Sequence, residues 1–520
     1  MSDYIVLVKQ VPDVSQITDN AFDPETGTLI RTRLASVVNE LDAQALAFAS
    51  FMRRISGDQN GRIIALTMGP PMAVEVLRYS LSRCADKVVL LTDRALGGAD
   101  TVATANPLAF AVRKIVKEIL KNDHDYYVVC GMQSVDGDTA QVPPQMAEEL
   151  SLPCIAYVTN AEFKGNRFEF TRIISGGSQV VAPRKLPAVI TVAKYEYPLF
   201  AAFAKTRWAN ETEVITWGSE DIKATHIGVK GSKTSVIRVF PPGKSSRKCQ
   251  HLTDVKSLAK VLVDSFKSGD GHAGQGRDAG ASRYVLPLRR ASLFDRSFEG
   301  TQKEQADYKI LAEKLGELGT KKPDQIDGAV KEKILAASAG HFHQKALDDM
   351  LDGLTRTEPA FKGEVWVVAE HSDGVVHPAT FELTGKARDL ADSLETQVGV
   401  CLAGYAVEPM AKELIAAGAD NVYVVEDKLL SVFDPTAYRK AIADAISMYW
   451  PQIVLYAATP LGRMLAPMVS YRVGCGLTAD CTGLDIRDSS RKGDIGLLLQ
   501  TRPALGGNVM ATIRTKDSKS

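Results

Sequence analysis

Apolar runs and amphipathic stretches alternate through the first half of the chain. The runs read "YIVLVKQV", "RIIALTM", "KVVLLTD", "YYVVCG" and "PAVITVA". They are rich in β-branched residues, the pattern of strands buried on both faces of a sheet. Between them lie "LDAQALAFASFMRRI", "PMAVEVLRYSLSRC" and "PLAFAVRKIVKEILK", with apolar positions at helical spacing. Strand–helix alternation predicts a mostly parallel, doubly wound sheet. "FDPETGTLI" interrupts the pattern, and Pro24 with Gly27 predicts a hairpin there.

The pattern then stops and starts again. Residues 268–282, "SGDGHAGQGRDAGAS", have the composition of a flexible linker. Residues 301–357 carry helical patterns and no strand candidate. From Gly363, "GEVWVVAE" reopens the grammar of the first half. "MAVEVLRYSLSRCADKVVLLTD" matches "PMAKELIAAGADNVYVVED", and "PLAFAVRKIVKEILKNDHDYYVVCGMQSVDGD" matches "PTAYRKAIADAISMYWPQIVLYAATPLGR". A whole domain is repeated. The expected fold is α/β: two homologous, doubly wound, mostly parallel-sheet domains joined by a helical linker. The boundaries are 1–255, 256–360 and 361–515, with a tail at 516–520. Two copies on a tether are expected to pair face to face.

Composition narrows the function classes. With 520 residues, about three domains are expected. Sixty-two basic residues balance 62 acidic ones, so no global field draws the chain to nucleic acid or an anionic membrane. No run of about eighteen uncharged apolar residues occurs, so no membrane-spanning helix is expected. "MSDYIVLVK" enters an apolar run at once and leaves no room for a signal or transit peptide. A bacterial-type cytoplasm is the expected setting. Seven cysteines are scattered without a C-x-x-C, which argues for buried thiols rather than zinc or iron–sulfur sites. His341 and His343 in "GHFHQK" are spaced to share a metal, yet no third ligand is in sight, and a solvated helix end is the preferred reading.

The stretch "GMQSVDGDTAQVPPQMAEELSLP", Gly131 to Pro153, carries the chemistry. It follows a buried strand, and ligands of open α/β sheets sit at the carboxyl ends of strands. Pro144 suits the first position of a helix, and residues before prolines are pushed from the helical region. The helix is therefore predicted to start near Pro144, with Asp136 to Pro143 as a loop that Gly137 lets turn. Thr139, Ala140, Gln141 and Val142 keep N–H groups able to cradle a phosphate or diphosphate. Asp136 and Asp138 repel phosphate, and are better placed to accept loop N–H bonds or hold ribose hydroxyls. A plain strand-to-helix turn with capping aspartates remains an equal reading of these residues. The stretch is neither a Walker loop nor G-x-G-x-x-G.

The same stretch resembles the nucleotide-binding loop of the β subunit of electron-transfer flavoproteins. "IVLVKQVPD", "NELDAQALAFA", "LTMGPPMAVEVLR", "DRALGGADTVATA" and "GSKTSVIRVFPP" agree in order with that subunit. "VWVVAEHSDGVVHPATFELTGKARDLA", "GADNVYVVED", "ATPLGRMLAPMVSYRVGCGLTADCTGLDI" and "TRPALGGNVMATI" resemble the N-terminal domain of the α subunit. Together the matches cover about four fifths of the chain. The resemblance implies an adenine-nucleotide site at Leu7, Asn39, Glu40, Leu41, Asp42 and Met68. It continues through the loop of Asp136, Gly137, Asp138, Thr139, Ala140, Gln141, Val142, Pro143, Pro144, Gln145, Met146 and Ala147. No catalytic side chain is implied.

Plain, electron-relaying members hold AMP there and carry D-x-D-x-N-Q-T-G. Bifurcating members carry D-G-D-T-A-Q-V, hold a second FAD beside an NADH site, and have a "GADTVAT" loop. This sequence has that loop at Gly98 to Thr104, with Asp100, Thr101 and Thr104 as site candidates. The form here implies FAD reduced by NADH. One electron goes uphill to ferredoxin or flavodoxin and the other passes through a relay FAD to a partner dehydrogenase. A plain member with AMP, and a redox-inactive nucleotide-binding assembly module, are the alternatives.

Departures qualify this. Pro143 replaces the glycine of Q-T-G, and "NELD" lacks the family's proline and phenylalanine. "KYEYPLFAAFAKTRW" lies where the family docks its dehydrogenase but lacks the usual leucine-bearing pattern. The α subunit's relay-FAD domain is expected either on another polypeptide or as a part removed by truncation. Arg463 in "ATPLGR" invites a phosphate reading, with interface packing preferred. "RPALGGN", Arg502 to Asn508, is read as a flavin-facing segment or a tight turn.

Overall fold

A computed structural model describes residues 2–13, 35–58, 60–240, 260, 302–319, 326–338, 362–489 and 494–515, with scattered positions between 342 and 351. The predicted hairpin around Pro24, the Gly-rich linker, and His341 and His343 lie outside the described residues.

The first half is built on a nine-stranded sheet. Its strand order is Ile215–Trp217, Lys87–Leu91, Ile63–Met68, Asp3–Leu7, Tyr126–Gly131, Ala188–Val192, Cys154–Lys164, Arg167–Ile174 and Gly177–Val181. The first seven run parallel, and the last two pairings are antiparallel. All five predicted strands are present in the parallel part. The antiparallel extension alternates in burial along Arg167–Ile174, which suits a face that is half wet.

From Asp3–Leu7 the chain builds one flank with Ile63–Met68 and Lys87–Leu91. It then crosses to Tyr126–Gly131 on the other side. The strand order therefore reverses beside Asp3–Leu7, the topology that in open α/β sheets leaves a crevice past the strand ends.

The second half repeats this order. Its parallel sheet reads Asn421–Glu426, Val398–Gly404, Val365–Val368 and Ile453–Leu455, equivalent to the 87–91, 63–68, 3–7 and 126–131 strands. The two halves meet through equivalent elements: helix Val142–Leu150 packs on helix Pro460–Val473. Met464 and Met468 enter the same apolar core as Met146 and Ala147. Around that core Tyr471 donates to Glu149 at 2.6 Å, and Arg439 and Arg472 both pair with Glu148. The copies pair as a pseudo-dimer.

A third sheet crosses between the halves. Thr234–Phe240 pairs antiparallel with Val509–Thr515, which continues into Asp494–Ala504 and Gly483–Ser489. A strand from the first repeat thus belongs to a sheet otherwise made by the second. Between the repeats, helices Gln302–Glu317 and Gly328–Ala337 share a small core of Leu311, Leu315, Ile334, Phe342, Leu347 and Leu351. No helix among the described residues is long and apolar enough to cross a membrane.

Two helix starts differ from the sequence expectation. The helix expected near Pro144 begins at Val142, so Val142, Pro143 and Pro144 form its first turn. First-turn N–H groups have no helical acceptor, so prolines there forfeit no hydrogen bond. Burial of Pro143 and Pro144 overrides the local preference of residues before proline. The helix read from Pro107 begins at Thr101, where the Asp100 carboxylate caps the Ala103 N–H at 2.9 Å, and Pro107 lies inside it.

Candidate functional site

Three strand ends and one helix start frame the crevice. Leu7 ends the central strand and Met68 ends its neighbour in parallel register. Asn39 precedes helix Glu40–Ile55, whose first turn carries Glu40, Leu41 and Asp42. The Asn39 amide donates to the Gln133 carbonyl at 2.9 Å and accepts the Val135 N–H at 3.2 Å, which fixes where the loop leaves its strand. Asp42 is only 7% exposed. Its two oxygens accept the Lys9 N–H at 2.9 Å and the Gly131 N–H at 3.2 Å. It therefore staples the ends of the two strands that flank the crevice. Burial pushes the Asp42 carboxyl up to about 7, against the pull of Asn39 and the two N–H donors.

The loop itself turns tightly. The Ser134 carbonyl accepts the Gly137 N–H at 3.2 Å and the Asp138 N–H at 2.8 Å. Asp138 and Ala140 then adopt left-handed backbone, φ 49° and 55°. Such alternation fans successive N–H groups to one side and makes an anion-binding concavity. The N–H groups of Thr139, Ala140, Gln141 and Val142 have no acceptor among the described residues. They lie at the start of a helix whose dipole adds to their attraction for an anion.

The remaining candidates divide by role. Gln141 is buried, accepts from Thr101 Oγ1 at 2.8 Å and donates to the Leu477 carbonyl at 3.5 Å. The start of the helix at Thr101 is thereby joined to the end of the 136–141 loop. Both Asp100 oxygens are engaged, one by Ala103 and the other by the N–H groups of Lys233 and Thr234 at 2.7 and 2.8 Å. Thr104 donates to the Asp100 carbonyl at 2.7 Å. Met146 and Ala147 belong to the apolar core, as the Met464 contact requires. Gln145 is wholly buried, and neither of its amide atoms has a partner among the described residues.

Lys9, Thr67 and Gln133 were not singled out from sequence, and two candidates that were, Asp138 and the Arg502–Asn508 segment, meet each other. Lys9, two past Leu7, reaches Asp136 Oδ1 at 2.8 Å and Ser134 Oγ at 3.2 Å with its ammonium. Asp138 Oδ2 accepts the Gly506 N–H at 2.9 Å, and its carbonyl accepts from Arg502 at 3.0 Å. "RPALGGN" is thus a tight turn, with Leu505, Gly506 and Gly507 at positive φ, and it touches the loop of the first half. Burial holds Arg502 below its usual basicity, and its Nε lacks a partner among the described residues. Thr67 Oγ1 and Gln133 Oε1 are likewise buried and unpartnered among the described residues. Buried polar atoms need partners. These atoms, with the N–H fan, fit a polar phosphate-bearing ligand such as FAD or AMP. A separate cleft of about 510 Å³ is lined by Gln10, Val38, Glu40, Glu75 and Tyr79, and of the candidate residues it shares only Glu40.

The equivalent crevice of the second half differs. It encloses about 40 Å³ among Glu370, His371, Tyr438 and Tyr456. A site for a nucleotide is roughly ten times larger. Thr459 donates to Glu370 Oε2 at 2.6 Å, beside the start of helix Pro460–Val473, so an internal carboxylate lies where an anion would be drawn. Arg463 pairs with Asp480 at 2.5 Å and donates to the Ala458 carbonyl at 3.1 Å. Among the described residues no His, Cys, Asp and Glu side chains are grouped to hold a metal. The segment after Val192 exposes Tyr197, Phe200, Phe203 and Trp208, with Phe200 87% and Phe203 89% exposed.

Comparison with known proteins agrees with this division. The profile of the "Electron transfer flavoprotein domain" family matches residues 26–221 and 365–519. Over 268 residues the chain is 34% identical to electron transfer flavoprotein subunit beta of Thermoanaerobacterium thermosaccharolyticum, covering 51% of this chain and 97% of that protein. Over 156 residues it is 47% identical to subunit alpha of the same organism, covering 30% of this chain and 46% of that protein. The chain therefore spans about half the length of that α subunit. Subunit CarD of the caffeyl-CoA reductase-Etf complex of Acetobacterium woodii is 36% identical over 269 residues, 51% of this chain and 97% of CarD.

Proposed function

The chain belongs to the electron transfer flavoprotein family, and we propose that its first half binds FAD at the crevice beside Leu7, Asn39, Met68 and the 136–142 loop. The observation that carries this reading is the row of four N–H groups, Thr139 to Val142, without acceptors at a helix start. They are suited to a diphosphate. Gln133 Oε1, at the foot of the loop, is buried without a partner among the described residues and is proposed to meet ribose or base, with Leu7 and Met68 at the two strand ends beside it.

A flavin held by the 136–142 loop and the strand ends would supply the redox chemistry, hydride acceptance from NADH and one-electron transfer. The protein's contribution is placement: Asp42 sets the width of the crevice mouth, and the Gln141–Thr101 bond sets the second loop against the first. The proposed acceptors are ferredoxin or flavodoxin on one branch. On the other is a flavin-dependent dehydrogenase, reached through a relay FAD. The relative CarD, named as a subunit of a caffeyl-CoA reductase-Etf complex, supports assembly with a partner redox enzyme. The exposed aromatic run from Tyr197 to Trp208 is the proposed docking surface, since apolar patches of that kind mark protein contacts. The proposed setting is the cytoplasm.

An absorption spectrum and nucleotide extraction from purified chain test the reading. One FAD per chain, bleached by NADH, is expected. A colourless chain that yields AMP would instead identify a plain electron-relaying member, and a chain with neither would point to a redox-inactive assembly module.

A further inference from the structure

The loop that is suited to phosphate also carries two carboxylates, Asp136 and Asp138, within three residues of the N–H row. At an effective dielectric near 20, like charges about 7 Å apart repel strongly enough to change affinity by more than tenfold. Both carboxylates are nevertheless withdrawn, by different means. Asp138 turns to the second half, where it meets the Gly506 N–H and lies near Arg502. Asp136, whose side chain is 5% exposed, receives the Lys9 ammonium at 2.8 Å.

Lys9 is well placed to do this. Its backbone N–H is held by Asp42 and its carbonyl accepts the Asn39 N–H at 2.9 Å, so the stem starts from a fixed point at the strand end. Its ammonium also receives support from Ser134 Oγ at 3.2 Å. One residue thereby joins the central strand, the first turn of helix Glu40–Ile55 and the phosphate-facing loop.

We propose that Lys9 is a positioning and specificity residue: by masking Asp136 it lets the loop accept ligands in proportion to their phosphate charge. The proposal rests on the nucleotide reading above. It differs from a merely structural role, because its effect scales with the ligand's charge.

The test uses the whole purified chain, stripped of bound nucleotide, titrated calorimetrically with ADP, AMP and adenosine. These probes differ only in phosphate number. Lys9→Met is expected to weaken ADP by about tenfold or more and AMP by a smaller factor, and to leave adenosine within about twofold. Lys9→Arg is expected to keep near-wild-type affinity for all three. Lys9→Met with Asp136→Asn is expected to recover most of the ADP affinity, since the charge to be masked is gone. Equal weakening of all three ligands in Lys9→Met, or no weakening of ADP, overturns the proposal, as does a double variant that recovers nothing. Wild-type chain that binds none of the three overturns the nucleotide reading itself.

Discussion

Asp42 and Gly131 are interlocked: the Gly131 N–H donates to Asp42 Oδ1, and a Cβ at position 131 would come within 2.5 Å of that oxygen and 2.8 Å of the Leu41 carbonyl carbon. The helix start and the strand end are as close as backbone permits. Gly131→Ala is therefore expected to force them apart and cost about 1–3 kcal/mol, read by urea denaturation. A variant as stable as wild type would mean the contact yields without strain.

Asp42 gives the fold a pH dependence of defined sign. Its carboxyl is held at about 7 when folded, against about 3.9 in an unfolded chain. The raised folded value means its stabilising share is complete below about pH 4 and is lost as pH rises through 7. Relative to Asp42→Asn, wild type is expected to lose about 2–3 kcal/mol of stability between pH 5 and pH 8. Parallel curves for the two proteins would show Asp42 ionised throughout, held so by the Lys9 and Gly131 N–H groups.

Glu148 concentrates the charge of the pseudo-dimer interface. It is buried against Arg439 and also reached by Arg472. Glu148→Ala leaves Arg439 buried without its counter-charge, and a loss of about 3–5 kcal/mol is expected in denaturation. A loss below about 1 kcal/mol would mean that water reaches Arg439.

Nucleotide binding and the docking of the halves are expected to be coupled, because Asp138 belongs to the loop and its partner Gly506 to the other half. Coupling of this kind acts equally in both directions. FAD at a hundredfold excess over its dissociation constant is expected to stabilise wild type by about 2.7 kcal/mol. At the same FAD concentration Asp138→Ala is expected to gain about 1 kcal/mol less, measured by thermal unfolding with and without FAD. Equal gains would uncouple the loop from the second half.

The parallel strands were legible because each is a continuous apolar run, and the repeat because it recurs in the same order. The predicted crevice also followed from the order of strands and helices. What escaped was non-local. Nothing in "KTSVIRVFPP" says that its strand will pair with residues 509–515, far along the chain. Lys9 carries no local mark of its role in the sequence; only the fold brings Asp136 to it. The helix start at Val142 was masked by local rules for residues before proline, which burial against the second half outweighs. Asp138 was read as a ribose or loop ligand, and its engagement by Gly506 depends on a hairpin hundreds of residues away.

The strand Thr234–Phe240 has a consequence for how the two repeats are held. It hydrogen-bonds along its length to Val509–Thr515 and so splices the first repeat into the second without any need of the peptide that joins them in sequence. Cleaving the chain between residues 241 and 301 should therefore yield two pieces that still elute together, and two separately synthesised pieces should find each other. The covalent join fixes their ratio at one to one, while the backbone ladder keeps them united.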